Sequence, residues 1–530
     1  MAVANFFDRA LMSAAQALRG EDPSVIRARL ESQIVELAFD RTAAASQEGQ
    51  AGLDLAVRLL ARLYPTLRIR PVGGASKSVA TGLKTLARAI NPEIDLDASG
   101  KANVRLVFGE TALPKGPATL YAGSDGWLAK VSTKGPQGVG SSHIPFGAGG
   151  AACLGAANVF RAVFAGALRG ARLDEEAVLS LFDFGTGATA KQGPLALSVD
   201  LGNTPIVGLG AIGNGLVWAL ARTPGLTGAP HLVDHEQIDL TNLQRYVLAT
   251  QADVGRVKVE VSRGALVAGG SPGLAPVPFV ARWDDYLAGR GHPAMARVVT
   301  ALDTAADRIA VQASLPGRIL NAWTQTGDLG VSRHGFLGEE ACLACLYLPV
   351  GQAPNEDEVI AQALGLPAER PVLLELRERL VNGQPVGESF VREAAARLKV
   401  PADGLLKFAG EPLRQFYAKA ICGGQLLETK AGRPAVEAPL AFQSALAGIM
   451  LAAELVVEAG GLRSAPVATK TIVDVTRPLG RRLGVRVLKP GAESPRRCIC
   501  QDRDFTAVFQ AKFGAVPAEP VRSRRRARPS

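Results

Sequence analysis

The chain contains 530 residues, of which 47% are hydrophobic and 20% are charged, and it carries a formal net charge of +10. This length and balance exclude a largely disordered protein and predict a globular one with at least two domains. Five of the positive charges lie in the stretch 514–530, a basic tail that we expect to be disordered. This tail lacks the interleaved aromatic residues typical of nucleic-acid binding.

The cysteine content and the apolar segments bear on the cellular location of the protein. Six cysteines in a chain of this length do not suggest a disulfide framework, and the first residues lack a secretion signal, so we expect a cytoplasmic protein. The longest apolar stretch, 438–462, is interrupted by Gln443, Ser444 and Glu454, which would be costly in lipid. This stretch predicts a buried core helix and no membrane association.

The first part of the chain shows two patterns. Residues 1–66 have apolar residues at helical spacing, as in Ile34, Leu37 and Ala38, and predict a helical N-terminal segment. Residues 67–199 mix short strands with helices and predict an α/β segment. The strands are expected at 67–72, 104–108 and 119–131, and the helices at 79–90 and 151–168.

From residue 200 the order becomes strand, glycine turn, helix, strand, helix, strand, which is typical of a doubly wound parallel sheet. We expect this Rossmann-like domain to comprise residues 200–350 and 437–513. A helix-rich insertion at 351–436 separates its two parts, with helices expected at 373–380, 390–398 and 413–418. The predicted fold class is therefore α/β, with a helical insertion and with a helical and α/β region before it.

A glycine motif opens the Rossmann-like domain. Gly208, Gly210 and Gly213 lie between a strand and a helix predicted at 214–222, where backbone N–H groups can approach a phosphate. Asp234 follows Gly213 by 21 residues, ends a second strand and suits the hydroxyls of a ribose. The motif predicts a nucleotide site, although a turn without a ligand and a nicotinamide-dependent oxidoreductase would show the same pattern.

Three further residues favour a nucleoside triphosphate. Arg245 and Lys258 follow Asp234, and such cations neutralise the charge that develops when pyrophosphate leaves an α-phosphate. Asp303 follows the strand predicted at 297–302 and suits Mg²⁺, which prefers carboxylates, water and phosphates. We therefore expect ATP and Mg²⁺, with exposed cations and a helix N-cap as the simpler interpretations of these side chains.

Several short segments resemble the adenylation domain of ubiquitin-activating enzymes and of their bacterial ThiF- and MoeB-type relatives. These segments are Leu232–Asp234, Asn242–Arg245, Gly255–Lys258 and the pair Asp303 and Arg308. The resemblance is close over residues 200–345 and looser over 438–500. Thr304 departs from it, because the family has an amide at this position.

The resemblance implies roles for individual residues. Asp234 would bind the ribose of ATP, and Asn242, Arg245 and Lys258 would contact its phosphates. Asp303 would hold Mg²⁺. The implied reaction is adenylation of the C-terminus of a ubiquitin-like protein, with release of pyrophosphate.

Four cysteines predict a metal site. Cys342 and Cys345 form a CxxC pair, and Cys498 and Cys500 follow far downstream. Four thiols suit a tetrahedral structural Zn²⁺. The first pair is close to the zinc half-site of the resembling family, whereas the second pair has one intervening residue instead of two. Buried free thiols are the alternative.

Cys422 lies between the helical insertion and the predicted core helix, followed by two glycines. In the resembling enzymes this segment crosses over the nucleotide site and can carry the cysteine that accepts the activated modifier. The insertion is longer than adenylation requires, and the glycines leave the thiol accessible, so we expect Cys422 to form a thioester. A buried structural cysteine is the alternative, as expected for Cys153 in the predicted helix 151–168.

The resemblance also implies partners. They would be a ubiquitin-like protein ending in glycine and a ubiquitin-conjugating-like enzyme that receives the thioester. Because activating enzymes pair an active unit with an inactive copy or an identical subunit, we expect residues 67–199 to be an inactive adenylation-like copy, which makes the chain a pseudo-dimer; a homodimer is the alternative. Chains of this two-part kind resemble bacterial ubiquitin-activating-like proteins of conjugation systems, including antiviral ones. A sulfur-carrier adenylyltransferase and a non-catalytic ATP-binding scaffold are the competing functions.

Overall fold

The structure is a computed structural model of the chain. It describes residues 4–18, 21–114, 116–168, 170–325, 327–348, 356–367, 369–398, 402–406, 408–417, 420, 439–479, 483–491, 494 and 497–514. Two compact units are present among these residues. The larger consists mainly of Ser24–Leu348 and the residues after Pro439, and the smaller consists of Leu11–Pro23 and the described residues between 349 and 439.

The first 180 residues supply one sheet and its helices. In chain order these elements are α1 (Phe7–Ala17), α2 (Pro23–Glu31), β1 (Val35–Phe39), α3 (Arg41–Ala45), α4 (Gln47–Leu60), β2 (Leu67–Pro71), α5 (Lys77–Ile90), β3 (Val104–Phe108), β4 (Ala118–Asp125), β5 (Leu128–Ser132), α6 (Phe146–Val163) and β6 (Glu176–Ser180). The strand order is β2-β1-β3-β4-β5-β6. Strands β1 to β4 are parallel, and β5 pairs antiparallel with both β4 and β6.

The rest of the chain supplies a second sheet. Its elements are β7 (Val199–Asp200), β8 (Pro205–Val207), α7 (Ala211–Arg222), β9 (Leu226–Thr227), β10 (His231–Val233), α8 (Lys258–Val267), β11 (Val277–Phe279), α9 (Trp283–Ala288), β12 (Val298–Thr300), α10 (Ala305–Ala313), β13 (Arg318–Thr324), β14 (Leu329–Gly335), α11 (Glu356–Ala363), α12 (Arg370–Val381), α13 (Glu388–Leu398), α14 (Asp403–Leu406), α15 (Leu413–Phe416), α16 (Ala441–Ala459), β15 (Lys470–Val473), β16 (Leu483–Val485) and α17 (Arg503–Phe513). The sheet order is β11-β10-β8-β12-β13-β14-β15-β16, and β7 pairs separately with β9. The first five strands are parallel, as the predicted doubly wound fold requires.

The two sheets share one connection pattern. In β2-β1-β3-β4-β5-β6 and in β10-β8-β12-β13-β14-β15, four parallel strands are followed by two that pair antiparallel. A long helix precedes the last strand of each series, α6 in the first and α16 in the second. Both helices are almost wholly buried, and they pack against each other. The larger unit therefore contains two sheets of similar topology joined through paired core helices.

Helix α16 is the core helix predicted from the apolar stretch 438–462. It is the one described helix that is long and apolar enough to cross a membrane, and 94% of its apolar window is buried inside the protein. Gly448 lets it approach α7, since a Cβ there would lie 2.1 Å from the carbonyl oxygen of Ile212. Its buried Glu454 forms ion pairs with Arg333 and Arg463. The prediction of a buried core helix is confirmed.

Two sequence predictions for the N-terminal half require correction. The segment 1–66 is not all helical, because Val35–Phe39 forms β1 between β2 and β3. All five residues of β1 are buried, including the ion-paired Glu36. The strand therefore lacks the apolar–polar alternation of a half-buried strand, and periodicity does not distinguish it from a buried helix. The strand predicted at 119–131 is a hairpin, in which Gly126 has a φ of +58° between β4 and β5.

The smaller unit has a core of its own. Within the predicted insertion 351–436, the residues that the structure describes form helices α11 to α15, so their helical character is confirmed. Their apolar faces meet in a cluster that includes Ile360, Leu376, Leu380, Val391, Leu413 and Phe416.

Candidate nucleotide-binding site

The candidate site lies where three neighbouring strands end. The last residues of β8, β10 and β12 are in register. Gly208, Asp234 and Asp303 follow these parallel strands closely in sequence, so they lie along one carboxyl edge of the sheet. In open α/β sheets, ligands bind at this edge.

Close backbone contacts shape the glycine loop. Gly208 has a φ of +88°, and a Cβ there would lie 2.8 Å from the carbonyl oxygen of Ala301. A Cβ on Gly213 would lie 2.5 Å from the carbonyl oxygen of Gly208, so glycine lets α7 start close to β8. Helix α7 begins at Ala211, earlier than predicted, and Gly210 caps it without a side-chain hydrogen bond. The first N–H groups of α7 thus remain available to an anion.

Asp234 is fixed beside this loop. Its Oδ2 accepts a hydrogen bond from the N–H of Leu209 at 2.8 Å, and its Oδ1 accepts one from the N–H of Glu236 at 2.9 Å. Each carboxylate oxygen retains a lone pair that can accept a hydrogen bond from a hydroxyl. The carboxylate is therefore oriented before a ligand binds.

Arg245 ends a short 3-10 helix, Leu240–Gln244. Asn242 stabilises the start of that helix, because its Oδ1 accepts a hydrogen bond from the N–H of Asp239 at 3.0 Å. The Nη1 of Arg245 is buried and has no hydrogen-bond partner among the residues that the structure describes. A buried guanidinium N–H without an acceptor points to an anion as its missing partner.

Lys258 is the first residue of α8, and its side chain is only 5% exposed. Its Nζ forms an ion pair with Glu236, which is 57% exposed. Burial alone would lower the pKa of Lys258, but Tyr246, Asp234 and Glu236 together raise it above its ordinary value. Lys258 therefore stays charged, and its exposed partner can be exchanged for a phosphate.

Tyr246 connects these groups, and sequence reasoning missed it. The Arg245 guanidinium lies 5.7 Å and the Lys258 Nζ 5.2 Å from the centre of its ring. Its hydroxyl would lie 3.5 Å from a Cβ on Gly210. Tyr246 thus brings both cations to the glycine loop, and its adjacency to Arg245 was the one signal in the sequence.

Asp303 is exposed at the same edge, in the loop before α10. The N-cap of α10 is Thr304, whose hydroxyl accepts a hydrogen bond from the N–H of Asp307 at 3.1 Å. This assignment excludes the simpler interpretation of Asp303 as the N-cap and gives the unexpected Thr304 a structural role. Arg308 donates hydrogen bonds to the carbonyl oxygens of Leu302 and Asp303, so it fixes the backbone of this loop.

Arg9 is a second residue that sequence reasoning missed. Burial and the nearby charge of Arg245 both lower the pKa of Arg9. The two guanidinium groups therefore lie close enough to interact, although they are far apart in the chain. No local pattern could have associated them.

At the carboxyl edge of the first sheet, unlike that of the second, a buried carboxylate already accepts hydrogen bonds from backbone N–H groups. Asp40, which follows β1, is 3% exposed. Its Oδ2 accepts hydrogen bonds from the N–H groups of Glu110 at 2.6 Å and Thr111 at 2.9 Å, and its Oδ1 accepts one from the N–H of Ala43 at 3.0 Å. The backbone donors that a phosphate would need at this edge already have a carboxylate as acceptor.

The four predicted metal ligands come together. The Sγ atoms of Cys342, Cys345, Cys498 and Cys500 all lie within 4.8 Å of one another. The Cys342–Cys345, Cys342–Cys498 and Cys345–Cys500 distances are 3.7, 3.4 and 3.5 Å. Tetrahedral Zn²⁺ with Zn–S bonds of about 2.3 Å places its sulfurs about 3.8 Å apart, so this cluster could hold zinc. The shorter second half-site does not prevent the four thiols from meeting.

Of the two remaining cysteines, Cys153 lies among the described residues and Cys422 does not. Cys153 is 1% exposed within α6, and burial raises the pKa of its thiol, as expected for a core cysteine. Cys422 lies outside the described residues, so its expected role stays a prediction.

Comparison with known proteins identifies the class. Residues 202–462 match the model of the ThiF family, and residues 38–165 match that of prokaryotic E2 family C. Residues 202–462 therefore form a ThiF/MoeB-type domain, and this family supports ATP-dependent adenylation of a substrate. The chain belongs to the same family as protein y4jF of Sinorhizobium fredii, which is 48% identical over 517 residues, with 97% of this chain and 98% of y4jF covered.

Two solved structures that match part of this chain are those of MccB and PaaA. E. coli MccB, solved with MccA-N7isoASN, is 16% identical, with a TM-score of 0.35 over 57% of this chain and 67% of that chain. PaaA is 12% identical, with a TM-score of 0.32 over 55% of this chain and 65% of that chain.

Proposed function

We propose that this chain uses ATP to adenylate the C-terminal glycine of a ubiquitin-like protein. The observation that carries the proposal is that Arg245 and Lys258 both lie close to the Tyr246 ring, 5.7 and 5.2 Å from its centre. The Nη1 of Arg245 is buried there and has no acceptor among the described residues. Two such cations suit a departing pyrophosphate, whereas hydride transfer has no triphosphate to neutralise. The match of residues 202–462 to the ThiF family supports the same reaction.

In the proposed mechanism, Asp234 accepts hydrogen bonds from the ribose hydroxyls, and the N–H groups at the start of α7 bind the phosphates. The terminal carboxylate of the modifier attacks the α-phosphorus, the bond between the α- and β-phosphates breaks, and pyrophosphate leaves with that bonding electron pair. Asn242, Arg245 and Lys258 stabilise the charge that develops. Lys258 exchanges Glu236 for a phosphate in this step.

Asp303 is the proposed Mg²⁺ ligand. It is exposed at the carboxyl edge, and Thr304 takes the helix-capping role that would otherwise engage it. A carboxylate suits this hard cation, which when bound neutralises phosphate charge.

We further propose that Cys422 accepts the modifier as a thioester and passes it to a conjugating enzyme. Its thiolate attacks the acyl carbonyl of the adenylate, and AMP leaves. Of the six cysteines in the chain, four form the candidate metal cluster and Cys153 is buried, which leaves Cys422 as the available nucleophile. The helical unit that precedes it supports this function, because adenylation alone does not require it.

We also propose that the first sheet belongs to an inactive adenylation-like copy, so that the chain is a pseudo-dimer. Its strand order supports this assignment, and Asp40 supports its inactivity. The match to an E2 family covers the same region, but Cys153 is the only cysteine within residues 38–165 and it is buried. A thioester-carrying role for this domain therefore lacks an accessible thiol.

The candidate metal cluster is proposed to hold one structural Zn²⁺. Cys342 and Cys345 follow β14, and Cys498 and Cys500 precede α17, so the ion would tie the C-terminal helix to the nucleotide-binding domain. All four ligands are thiols, and no position is left open for chemistry.

The proposal can be tested by intact-mass analysis of the protein after incubation with ATP and a ubiquitin-like protein, without reductant. The expected product is a thioester adduct that adds the mass of the modifier minus water and that an added thiol or hydroxylamine cleaves. The adduct should be absent in Cys422→Ala and retained in the control Cys153→Ala. An adduct that persists in Cys422→Ala would contradict the assignment of the nucleophile, and acyl-adenylate without any adduct would indicate a sulfur-carrier type of adenylyltransferase.

A further inference from the structure

Arg62 lies two residues after α4, in the region of the first sheet and its helices, which we call the N-terminal domain to distinguish it from the domain of the second sheet. Its side chain is only 1% exposed. Its Nε donates to the carbonyl oxygen of Leu243 at 2.8 Å. Its Nη2 donates to the carbonyl oxygens of Tyr246 and Ala249, both at 2.6 Å. A guanidinium from one domain is therefore buried against the backbone of the other.

Arg58, one turn earlier on α4, extends this contact. Its Nη1 donates to the carbonyl oxygens of Val247 at 2.8 Å and Leu248 at 3.1 Å. Its Nε is held by Asp54 at 2.9 Å. Together, the two arginines bind five backbone carbonyls within residues 243–249.

This segment, 243–249, is the one that carries Arg245 and Tyr246. It begins within the last turn of the short 3-10 helix Leu240–Gln244 and belongs to no described strand or α-helix, so its carbonyl groups take no part in a sheet or an α-helix. Asn214 of α7 accepts a hydrogen bond from the N–H of Leu248 at 3.1 Å, and the carbonyl oxygen of Tyr246 also accepts one from the N–H of Ala249 at 3.0 Å. The side-chain donors to all five carbonyls named above come from Arg58 and Arg62. The backbone that carries Arg245 is therefore held largely by side chains of the N-terminal domain.

We propose that Arg62, supported by Arg58, is a positioning residue that holds segment 243–249 in its phosphate-binding conformation and thereby makes the ATP site depend on the N-terminal domain. This inference rests on the function proposed above. It gives the domain without a nucleotide site of its own a defined task in the reaction.

The chemistry of arginine suits this task. Burial and, to a smaller extent, the nearby charge of Arg58 lower the pKa of Arg62 to about 9. The guanidinium is therefore still protonated at neutral pH. A planar guanidinium can bind several carbonyls in fixed directions, whereas a lysine ammonium has fewer donors on a flexible stem. We therefore expect Arg62→Lys to restore only part of what Arg62→Met loses.

Amide hydrogen exchange of the full chain without ATP is the first test. In Arg62→Met, exchange of peptides covering 243–249 should accelerate at least about tenfold relative to wild type. The control is Arg68→Met, because Arg68 also donates to backbone carbonyls, those of Ala98 and Gly100, but touches no part of this segment. Exchange in 243–249 should stay at the wild-type rate in this control.

ATP affinity is the second test. Arg62→Met should weaken ATP binding by about tenfold, Arg62→Lys by less, and Arg68→Met by less than about twofold. If Arg62→Met does not fold, Arg62→Lys and Arg58→Met carry both measurements.

Two results would overturn the inference: unchanged exchange of 243–249 in the Arg62 variants, or faster exchange of this segment with unchanged ATP affinity. A wild-type protein that binds no ATP would instead overturn the proposed function. In that case, amide hydrogen exchange without ATP would still decide whether Arg62 and Arg58 hold segment 243–249.

Discussion

The N–H of Leu209 and the carboxylate of Asp234 are joined by a hydrogen bond of 2.8 Å. This bond links the glycine loop after β8 to the end of β10, so the residue that would bind the ribose also fixes the loop that would bind the phosphates. Removal of the Asp234 carboxylate should therefore weaken binding of both the ribose and the phosphates of ATP.

Replacing Asp234 with alanine should weaken ATP binding by about tenfold to a hundredfold, the range expected when hydrogen bonds to a charged acceptor are lost. Isothermal titration calorimetry measures this change. Glu236→Ala is a useful comparison, because it removes the resting partner of Lys258 and should reduce affinity much less. Equal losses in both variants would contradict the assignment of the ribose contact.

The chain should bind one ATP, although it contains two sheets of similar topology. Asp40 occupies the donors of the first edge, so mutation of the second edge should abolish all binding. The stoichiometry in calorimetry should be one per chain in wild type and undetectable in the double variant Arg245→Ala, Lys258→Ala. Two bound nucleotides per chain would show that the first edge is active.

The cysteine cluster should contain one zinc ion per chain by elemental analysis. Cys498→Ser, or removal of the metal by a chelator, should lower the Tm by about 5–10 °C, because structural zinc contributes directly to folding free energy. ATP affinity should change less than about twofold. Cys153→Ala should retain zinc, and a metal-free wild-type protein would contradict the site.

Glu454 should be important for stability, because it is buried between Arg333 and Arg463. Glu454→Gln should lower the free energy of unfolding by about 3 kcal/mol, since it leaves the buried Arg333 and the largely buried Arg463 without this carboxylate. Glu458→Gln, on the same helix but more exposed, should cost less than about 1 kcal/mol. Urea unfolding measures both.

The pH dependence of the free energy of unfolding should also reflect the ionisation of Glu454. Burial alone would raise the pKa of Glu454, but the two arginines hold it below its ordinary value. The stabilisation is therefore present above the ordinary pKa of a glutamate and is lost as the pH falls through the lower folded value. Glu454→Gln should show a weaker loss of stability on acidification, and an unchanged acid profile would contradict this account.

The sequence predicted the second sheet better than the first. Gly208, Gly213 and Asp234 lie at a strand, turn and helix whose spacing is set by local contacts, so the motif is visible in a short window. In contrast, β1 is a buried central strand with no alternation, and its apolar residues suggested a helix.

The site could be predicted only where the chemistry is local or distinctive. Cys342 and Cys345 were recognisable from their spacing and thiols. Tyr246, Arg9 and Arg62 act through contacts that depend on the packing of distant segments, and none of them lies in a recognisable motif. Such contacts can be recognised only in the three-dimensional structure.

The most direct test of the central claim is ATP–pyrophosphate exchange, measured with a panel of ubiquitin-like proteins that end in glycine. The account predicts exchange that requires one of these proteins and falls at least about a hundredfold in Asp303→Asn. Asp307→Asn, at an exposed carboxylate in the first turn of α10, should retain most of the wild-type rate. Exchange at the wild-type rate in Asp303→Asn, or no exchange with any modifier, would contradict the account.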